Sequence, residues 1–324
     1  MTDVPAISRR RALSVLGGTG LLAGGLSRPA RAAQTKTYDL RPISVADGIS
    51  MIVGATEYFS TKNGGAIVNC ALIETDAGLV IVDTGPSLRY GQALRALARQ
   101  APSGRVAAVI NTHHHPDHFF GNHAFTDVKI YALDGTIKLA RNEGEAFSDN
   151  MYRLLGDWMR GTEVVPPNTM LEGATLEIGG RSFAVLSLEG HTGADLALLD
   201  KQTGVLIAGD IAFLDRAPTT PHADLMKWRE AIDALTAVEA KAIIPGHGPF
   251  DQAGASLVQT KAYLTWLERR LRRAAIDGLS MMEIMAMDLP QQYSTMGAMP
   301  QEFHRSVAHL YPAIERQAMP LSNR

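Results

Sequence analysis

Histidines are concentrated in one short stretch of the sequence, NTHHHPDHFFGNHAF at residues 111–125, which holds five of the ten histidines in the chain. Extended backbone turns alternate side chains to the same side, so His113 and His115 can bind one metal ion while His114 points away. The stretch therefore predicts a strand that ends at a metal site, with His114 as a bystander.

A helix is predicted to begin directly after this strand end. Pro116 suits the first position of a helix, because proline has no N–H to donate and its φ angle is already helical. Asp117 and His118 then lie in the first turn and point to a second position a few ångströms from the first. Two metal ions about 3.5–4 Å apart are the usual arrangement for two-metal hydrolysis.

Four separate strand-like segments each end at, or lead into, a histidine or an aspartate. The run VAAVINT leads into His113, SFAVLSLEG leads into His191, GVLIAGD ends on Asp210, and AKAIIPG leads into His247. Loops at one edge of a sheet are where a rigid scaffold presents functional side chains. We therefore expect these four strand ends to meet at one site.

Strand-like and helix-like segments alternate along most of the chain. Short runs rich in Val and Ile, separated by turn residues, predict strands, and apolar residues at helical spacing predict helices between them. This order predicts an α/β layered domain over residues 33–252. Residues 253–324 have a helical pattern only, and we interpret them as a C-terminal helical extension.

The N-terminal segment has the pattern of an export signal. SRRRALSVLGGTGLLAGGLSRPARA places consecutive arginines before a weakly apolar, glycine-rich run and the small-residue cleavage pattern Ala30-Arg31-Ala32. This predicts a twin-arginine signal peptide at residues 1–32 and a periplasmic mature protein. The alternative, a membrane anchor, is disfavoured because the run is too short and too weakly apolar to span a bilayer. We therefore expect no stable membrane insertion after cleavage.

The composition excludes several classes of partner. Removal of residues 1–32 takes away five arginines and one aspartate, which changes the formal charge from −2 to about −6. A mildly acidic chain lacks the basic surface that nucleic-acid binding requires. Cys70 is the sole cysteine, so it has no partner for an intrachain disulfide.

The ordered set His-x-His-x-Asp-His, His191, Asp210 and His247 resembles the signature of the metallo-β-lactamase superfamily. The resemblance covers about residues 43–250 and implies a four-layer αβ/βα sandwich. Carried over by position, it implies a first metal site, a second metal site and one bridging carboxylate. The implied ligands are His113, His115 and His191 for the first metal, Asp117, His118 and His247 for the second, and Asp210 as the bridge.

A narrower resemblance is carried by EYFSTKNGGAIVNCALIETDAGLVIVDTG, GDWMRGTEVVPP and DRAPTTPHADLMKW. These segments look like the exported zinc metallohydrolases named for a quinoprotein relay system. This resemblance implies a possible association with a periplasmic quinoprotein dehydrogenase, and it implies no particular substrate.

The predicted ligand set indicates the metal and the reaction class. Seven nitrogen and oxygen ligands without a thiolate suit two Zn²⁺ ions per chain, although a bridging carboxylate also tolerates Fe or Mn. Zinc lowers the pKa of bound water to about 7, so a metal-bound hydroxide is the expected nucleophile, with Asp117 as the catalytic residue that orients it and moves its proton. We expect hydrolysis of an ester, thioester, lactone or related bond of a small-molecule substrate.

Two positions narrow the implied activity. Members of the superfamily that open β-lactams usually have Cys or Ser where this chain has Asp210, which disfavours a dedicated β-lactamase. The oxygen-reducing diiron branch of the superfamily typically has Glu where this chain has His115, and it carries a flavin domain. The presence of this histidine therefore disfavours redox chemistry. The remaining rivals are a β-lactamase side activity and a metal-dependent binding or relay partner of a quinoprotein dehydrogenase with little turnover.

Further residues are expected around the metals. Each ligating imidazole needs a partner for its other ring nitrogen, and Asp83 and Asp195 are candidates, with a turn or capping role as the alternative for both. Tyr58 and Asn63 lie where this fold has a hairpin above the metals, so both are candidates for the pocket wall. His222 either contacts substrate or has a structural role near a helix start.

Overall fold

The computed structural model describes residues 36–318, which form one compact unit from Lys36 onwards. The predicted signal peptide, residues 1–32, lies outside the described residues. Two β-sheets and their flanking helices account for most of this unit. Within residues 36–318, every helix is too short or too polar to cross a membrane.

The first sheet has seven strands in the order of the sequence. Its strands are β1 (Pro42–Ala46), β2 (Ile49–Ile52), β3 (Cys70–Thr75), β4 (Gly78–Val82), β5 (Val106–Ile110), β6 (Lys129–Ala132) and β7 (Thr169–Met170). Strands β1 to β4 are antiparallel to their neighbours, and β4 to β7 are parallel. The carboxyl ends of β4, β5 and β6 therefore meet at the same edge of the sheet.

The second sheet has five strands in the order β12-β11-β10-β9-β8. Its strands are β8 (Thr175–Ile178), β9 (Arg181–Leu188), β10 (Asp195–Asp200), β11 (Val205–Phe213) and β12 (Ala242–His247). Strands β11 and β12 are parallel, whereas the other pairs are antiparallel.

Helices cover the outer face of each sheet. The helices are α1 (Leu88–Gln100), α2 (Pro116–Phe119), α3 (Asp134–Leu155), α4 (Leu225–Thr236), α5 (Ala255–Ile276), α6 (Met281–Met285), α7 (Gln291–Ser294) and α8 (Gln301–Ala318). Two 3₁₀ helices, Phe120–Phe125 and Gly156–Met159, follow α2 and α3.

Alternating side chains along the strands build the layers. In β4, Val80 and Val82 pack against the second sheet, whereas Leu79 and Ile81 pack against α1. This period of two is what a strand buried on both faces requires. The order helix, sheet, sheet, helix is the four-layer αβ/βα sandwich that the family resemblance implies.

The C-terminal helices share a core with the second sheet. Phe303, Val307 and Tyr311 of α8 are buried in the same cluster as Leu206 of β11 and Trp228 of α4. A capping box formed by Ser280 and Glu283 begins α6. The helical extension is therefore continuous in packing with the sandwich.

Candidate metal centre

The predicted ligands meet where strands of both sheets end. The loop after β5 carries His113 and His115, and α2 begins at Pro116, as the proline predicts. His191 follows β9, and His247 is the last residue of β12. The pairing of β11 with β12 is irregular between Ile207 and Phe213, and such irregularities reorient side chains. Asp210 lies in this irregular part of β11.

Four side chains form a first cluster. Nε2 of His113 lies 3.1 Å from Nδ1 of His115, and Nε2 of His191 lies 2.9 Å from the same atom. Oδ2 of Asp210 lies 3.2 Å from Nε2 of His191 and 3.8 Å from Nε2 of His113. All four side chains are buried.

A second cluster uses the other oxygen of Asp210. Its Oδ1 lies 3.2 Å from Nε2 of His118 and 3.4 Å from Nε2 of His247. Oδ2 of Asp117 lies 3.4 Å from Nε2 of His247 and 3.8 Å from Nε2 of His118. Asp210 thus presents one carboxylate oxygen to each cluster.

The donor atoms of both clusters fit metal ions. Tetrahedral ligands at about 2.0–2.1 Å from Zn²⁺ lie about 3.3 Å from one another, and the distances within each cluster range from 2.9 to 3.8 Å. Buried polar atoms normally have a hydrogen-bond partner. Nε2 of His118 and Oδ1 of Asp210 have none among the described residues, as expected of atoms directed at a cation.

The charges of the site agree with metal binding. Burial lowers the pKa of His113 and of His115 well below the usual value, so both are neutral and able to coordinate. Burial opposes the charge of Asp210, but the imidazoles of His247 and His118 outweigh it and hold the pKa of this carboxyl well below its usual value. Asp210 is therefore ionised, as a bridging ligand must be.

The pKa of the His118 imidazole shifts in the opposite direction, because this ring faces carboxylates. Burial lowers its pKa, but the negative charges of Asp210, Asp83 and Asp117 outweigh burial and raise the pKa well above the usual value. Without a cation in the cluster, a proton on His118 neutralises these carboxylates. A metal ion supplies the same positive charge, so metal binding and this proton compete.

Asp83 holds the ring of His118 and a neighbouring threonine. Nδ1 of His118 lies 2.8 Å from Oδ2 of Asp83, and the N–H and hydroxyl of Thr112 donate to the same carboxylate at 2.8 Å. The hydroxyl of Thr112 lies 3.0 Å from Nδ1 of His113. Asp83 therefore lies in the position predicted for a partner of a ligating imidazole, and through Thr112 it also reaches the first cluster.

Two other ligands have different partners for their outer nitrogens. Nδ1 of His247 donates to the carbonyl of Ile67 at 2.7 Å. Nε2 of His115 lies 2.8 Å from Nδ1 of His222. His222 also lines the cavity, so it both positions the imidazole of His115 and faces the cavity.

Asp195 and Asn63 have structural positions. Asp195 accepts hydrogen bonds from the N–H and hydroxyl of Thr192 rather than from an imidazole, and burial raises its pKa to about 6. Asn63 accepts from the N–H groups of Ser60 and Gly65, so its amide closes its own loop and does not line the described cavity. Asp195 therefore has the turn role expected as its alternative, and Asn63 stabilises its own loop, because in each case a short local turn takes up the side chain.

His114 is less isolated than the sequence predicts. Its ring is buried, and Nε2 lies 3.1 Å from Oε2 of Glu143 in α3. Nε2 of His222 lies 3.7 Å from the same oxygen. Glu143 thus links the two histidines outside the metal clusters, a connection that no local sequence pattern signals.

A cavity opens onto the metal ligands. Tyr58 contributes to its wall as predicted, together with Phe59 of the same loop. Phe147 and Met151 of α3 also line it. Arg216 and Arg305 complete one side of the cavity, and no sequence pattern indicates either residue.

Comparison with known proteins places this fold and site in a family. The family model described as "Metallo-beta-lactamase superfamily" matches residues 63–247, which is more than half of the chain. This match spans all seven predicted ligands.

Two curated proteins illustrate the sequence similarity. The linear primary-alkylsulfatase of Pseudomonas sp. (strain ATCC 19151) is 25% identical over 217 residues, which are 55% of this chain and 40% of that protein. The acyl-coenzyme A thioesterase MBLAC2 of Bos taurus is 26% identical over 244 residues, which are 65% of this chain and 81% of that protein. The chain therefore spans less than half of the alkylsulfatase and most of the thioesterase.

A solved structure extends the fold comparison into the C-terminal helices. The sec-alkylsulfatase Pisa1 from Pseudomonas sp. superposes with a TM-score of 0.64 at 21% identity, covering 87% of this chain and 50% of that one. At this identity the likeness concerns the fold alone. The narrower resemblance to quinoprotein relay proteins stays a prediction.

Proposed function

We propose, from the premise that this chain belongs to the metallo-beta-lactamase superfamily, that it is a dinuclear zinc-dependent hydrolase. The coarser assignment, a metal-dependent hydrolase, is supported by the family match and by relatives named as a sulfatase and a thioesterase. The observation that carries the dinuclear proposal is Asp210, whose two oxygens face two separate clusters of ligand atoms.

The proposed substrate is a small molecule with an ester, thioester, lactone or related bond. The thioesterase relatives favour an acyl compound, and the alkylsulfatase relative extends the class to sulfate esters. The presence of an aspartate at position 210 disfavours a dedicated β-lactamase. Fe or Mn would suit the same nitrogen and oxygen ligands, so the metal in the cell is part of the proposal.

Each side chain has a defined task in this proposal. Two zinc ions, held by the first and second clusters, would supply a water of lowered pKa and polarise the scissile group. Asp117 lines the cavity beside His247, where its carboxylate can orient a water, take its proton and pass it to the leaving group. Phe59 and Phe147 form an apolar wall that excludes bulk water from the reacting bond.

Metal analysis and a substrate panel test the proposal. We expect about two zinc ions per chain and turnover of at least one member of a panel of thioester, lactone, aryl ester, alkyl sulfate, phosphodiester and cephalosporin substrates. Two metal ions without any turnover would instead support the rival function, a metal-dependent relay or binding partner of a quinoprotein dehydrogenase.

A substitution at Asp117 tests the proton transfer. Asp117→Asn keeps an oxygen ligand but removes the proton acceptor, so we expect hydrolysis to fall by about 10²–10⁴-fold while metal content persists. Metal content is measured on the same sample as activity. Undiminished activity would rule out this role for Asp117.

We propose further that the protein acts in the periplasm after twin-arginine export. The support is the arginine-rich segment at residues 1–32. Replacement of Arg9 and Arg10 by lysine should retain the protein, with its precursor length, in the cytoplasmic fraction. Export of this variant at the normal rate would contradict the proposal.

A further inference from the structure

Two arginines from distant parts of the chain line the cavity above the metal ligands. Arg216 follows β11, and Arg305 lies in the second turn of α8. Backbone hydrogen bonds fix the loop of Arg216 to the segment before α8, since Ala217 donates to Gly297 at 3.0 Å and Gly297 donates to Asp215 at 2.8 Å. The backbone on both sides of Arg216 is therefore fixed to the segment that directly precedes the helix of Arg305.

One carboxylate lies between the two arginines. Nη1 of Arg305 lies 3.0 Å from both oxygens of Glu302, and Nη2 of Arg216 lies 3.5 Å from Oε1. The hydroxyl of Thr219 also donates to Oε1 at 3.0 Å. The carboxylate of Glu302 is thus occupied mainly by Arg305 and Thr219, and two cations share one anion.

Arg216 has unused hydrogen-bonding capacity although it is only 1% exposed. Its Nη1 donates to the carbonyl of Ala217 at 3.4 Å and lies 3.5 Å from the hydroxyl of Thr219. Its Nε has no partner among the described residues. Buried cations are normally paired and hydrogen-bonded, and the ion pair of Arg216 with Glu302 is long, at 3.5 Å. Because Arg216 also lines the cavity, its positive charge can attract an anion there.

Arg305 is held in place by an aromatic ring. Its guanidinium carbon lies 5.4 Å from the centre of the Tyr58 ring, within the range of a cation–π contact. Its side chain is 31% exposed, so it reaches both the cavity and solvent. Arg305 can therefore contact a ligand as it enters from solvent.

We propose that Arg216 and Arg305 bind an anionic group of the substrate, which leaves its scissile bond over the metal ligands. The proposal rests on the proposed hydrolase function and adds a substrate class, an ester or thioester that carries a carboxylate or sulfonate-like oxyanion. The planar guanidinium matches such oxyanions with two parallel hydrogen bonds. Because Glu302 neutralises one of the two cations, the site fits one negative charge.

Matched substrates test this inference. One pair comprises 4-nitrophenyl pentanoate and mono-4-nitrophenyl glutarate, which differ only in whether the five-carbon acyl chain ends in a methyl group or a carboxylate. A 4-nitrophenyl ester that ends in a sulfonate distinguishes a tetrahedral from a planar anion. Phenyl acetate and 4-carboxyphenyl acetate place the charge on the alcohol side instead.

We expect at least one anionic substrate to exceed its neutral partner about tenfold or more in kcat/KM. Arg305→Gln should reduce that ratio about tenfold, chiefly through KM, whereas the matched control Arg316→Gln, exposed on the same helix, should leave it unchanged. Arg216→Lys keeps the charge but loses the planar fork, and we expect it to reduce the ratio as well. Equal rates for every pair, or a ratio that survives Arg305→Gln, would overturn the inference.

A binding measurement separates this inference from the proposed function. Titration calorimetry of the metal-loaded protein with glutarate should give a Kd that rises about tenfold in Arg305→Gln. If no ester is hydrolysed but this difference persists, the hydrolase proposal fails and the anion site stands. If esters are hydrolysed and the Kd is unchanged, the anion site is wrong and the hydrolase proposal stands.

Discussion

At the scale of single residues, Asp83 is linked to both clusters of predicted metal ligands, directly to His118 and through Thr112 to His113. It is not itself a predicted ligand. Its backbone has a φ of 62°, which asparagine tolerates better than most residues. Asp83→Asn therefore removes the charge without adding backbone strain. We expect metal affinity to fall about 10–100-fold, measured by competition with a chelator.

Asp215→Asn is the matched control for Asp83→Asn. Asp215 has a similar φ of 55°, but its carboxylate accepts from Gln259 at 3.3 Å and contacts no imidazole. We expect its metal affinity to equal that of the unsubstituted protein. Equal losses in both variants would mean that backbone conformation, rather than the contact with His118, explains the effect.

His222 supports the first cluster through one hydrogen bond. His222→Gln weakens the hold on His115, so we expect metal affinity to fall about tenfold or more. His123→Gln is the control, because Nδ1 of His123 accepts from the backbone of Glu163 away from the clusters. An unchanged metal affinity in His222→Gln would show that His222 acts on substrate alone.

The ends of predicted strands indicate where His113, His191, Asp210 and His247 lie, whereas the assignment of all seven candidate ligands to two metals is what the family resemblance implies. His191 and His247, 56 residues apart, each follow or end a predicted strand. Asp195 has the turn role that the sequence left open, and Asn63 closes its own loop, because local turns compete for short polar side chains. Arg216 was missed because its importance depends on Glu302, a partner far away in the sequence.

At the scale of elements, the end of β12 shows how closely strands must approach for the clusters to form. A Cβ atom on Gly246 would lie 2.0 Å from Oδ1 of Asp210. Gly246→Ala should therefore displace the carboxylate that faces both clusters. We expect loss of about one metal ion per chain and loss of activity, measured by metal analysis.

Gly193→Ala provides the control for Gly246→Ala. The nearest atom to a Cβ on Gly193, in the loop that carries His191, is a methyl carbon of Leu139 at 3.8 Å, which is an ordinary contact. We expect unchanged metal content. Normal metal content in Gly246→Ala would mean that β12 can shift without disturbing Asp210.

Hydrophobic periodicity predicted most helices and strands but not which apolar residues face the cavity. Met151 and Leu155 of α3 are both fully buried, yet Met151 also lines the cavity. A helical stripe identifies the inward face of a helix. Whether that face meets a packed core or a substrate space depends on the loop opposite, here the one that contains Tyr58 and Phe59.

At the scale of the whole molecule, one buried ion pair joins the two sheets. Arg181 of β9 binds Asp200 with an Nε to Oδ1 distance of 2.7 Å, and both side chains are at most 5% exposed. The same guanidinium donates to the carbonyl of Glu74 in β3 at 3.2 Å and to that of Asp47, in the turn between β1 and β2, at 3.1 Å. Arg181 thus satisfies backbone groups of one sheet and a carboxylate of the other.

Loss of one partner should be costly. Arg181→Met leaves Asp200 buried without its cation, and we expect the free energy of unfolding to fall by about 3–5 kcal/mol, measured by urea denaturation. The double variant Arg181→Met/Asp200→Leu should recover part of this loss. A single variant as stable as the unsubstituted protein would show that the pair contributes nothing.

The same pair predicts a dependence on pH. Burial raises the pKa of Asp200, but hydrogen bonds from Arg181 and Thr203 outweigh burial and lower the pKa below its usual value. The stabilisation is complete above the unfolded pKa of about 3.9 and is lost as pH falls through the lower folded pKa. We expect Arg181→Met to lose less stability than the unsubstituted protein when urea denaturation is repeated below pH 4.

The position of Arg305 in α8 has a consequence for biosynthesis. The cavity wall combines side chains from residue 58 to residue 305, so a ribosome must translate almost the entire described chain before the wall is complete. A nascent chain that lacks α8 leaves Arg216 without Glu302 and the second sheet without part of its cover. Any selective recognition of an anionic substrate therefore begins only after α8 has been translated and has packed against the second sheet.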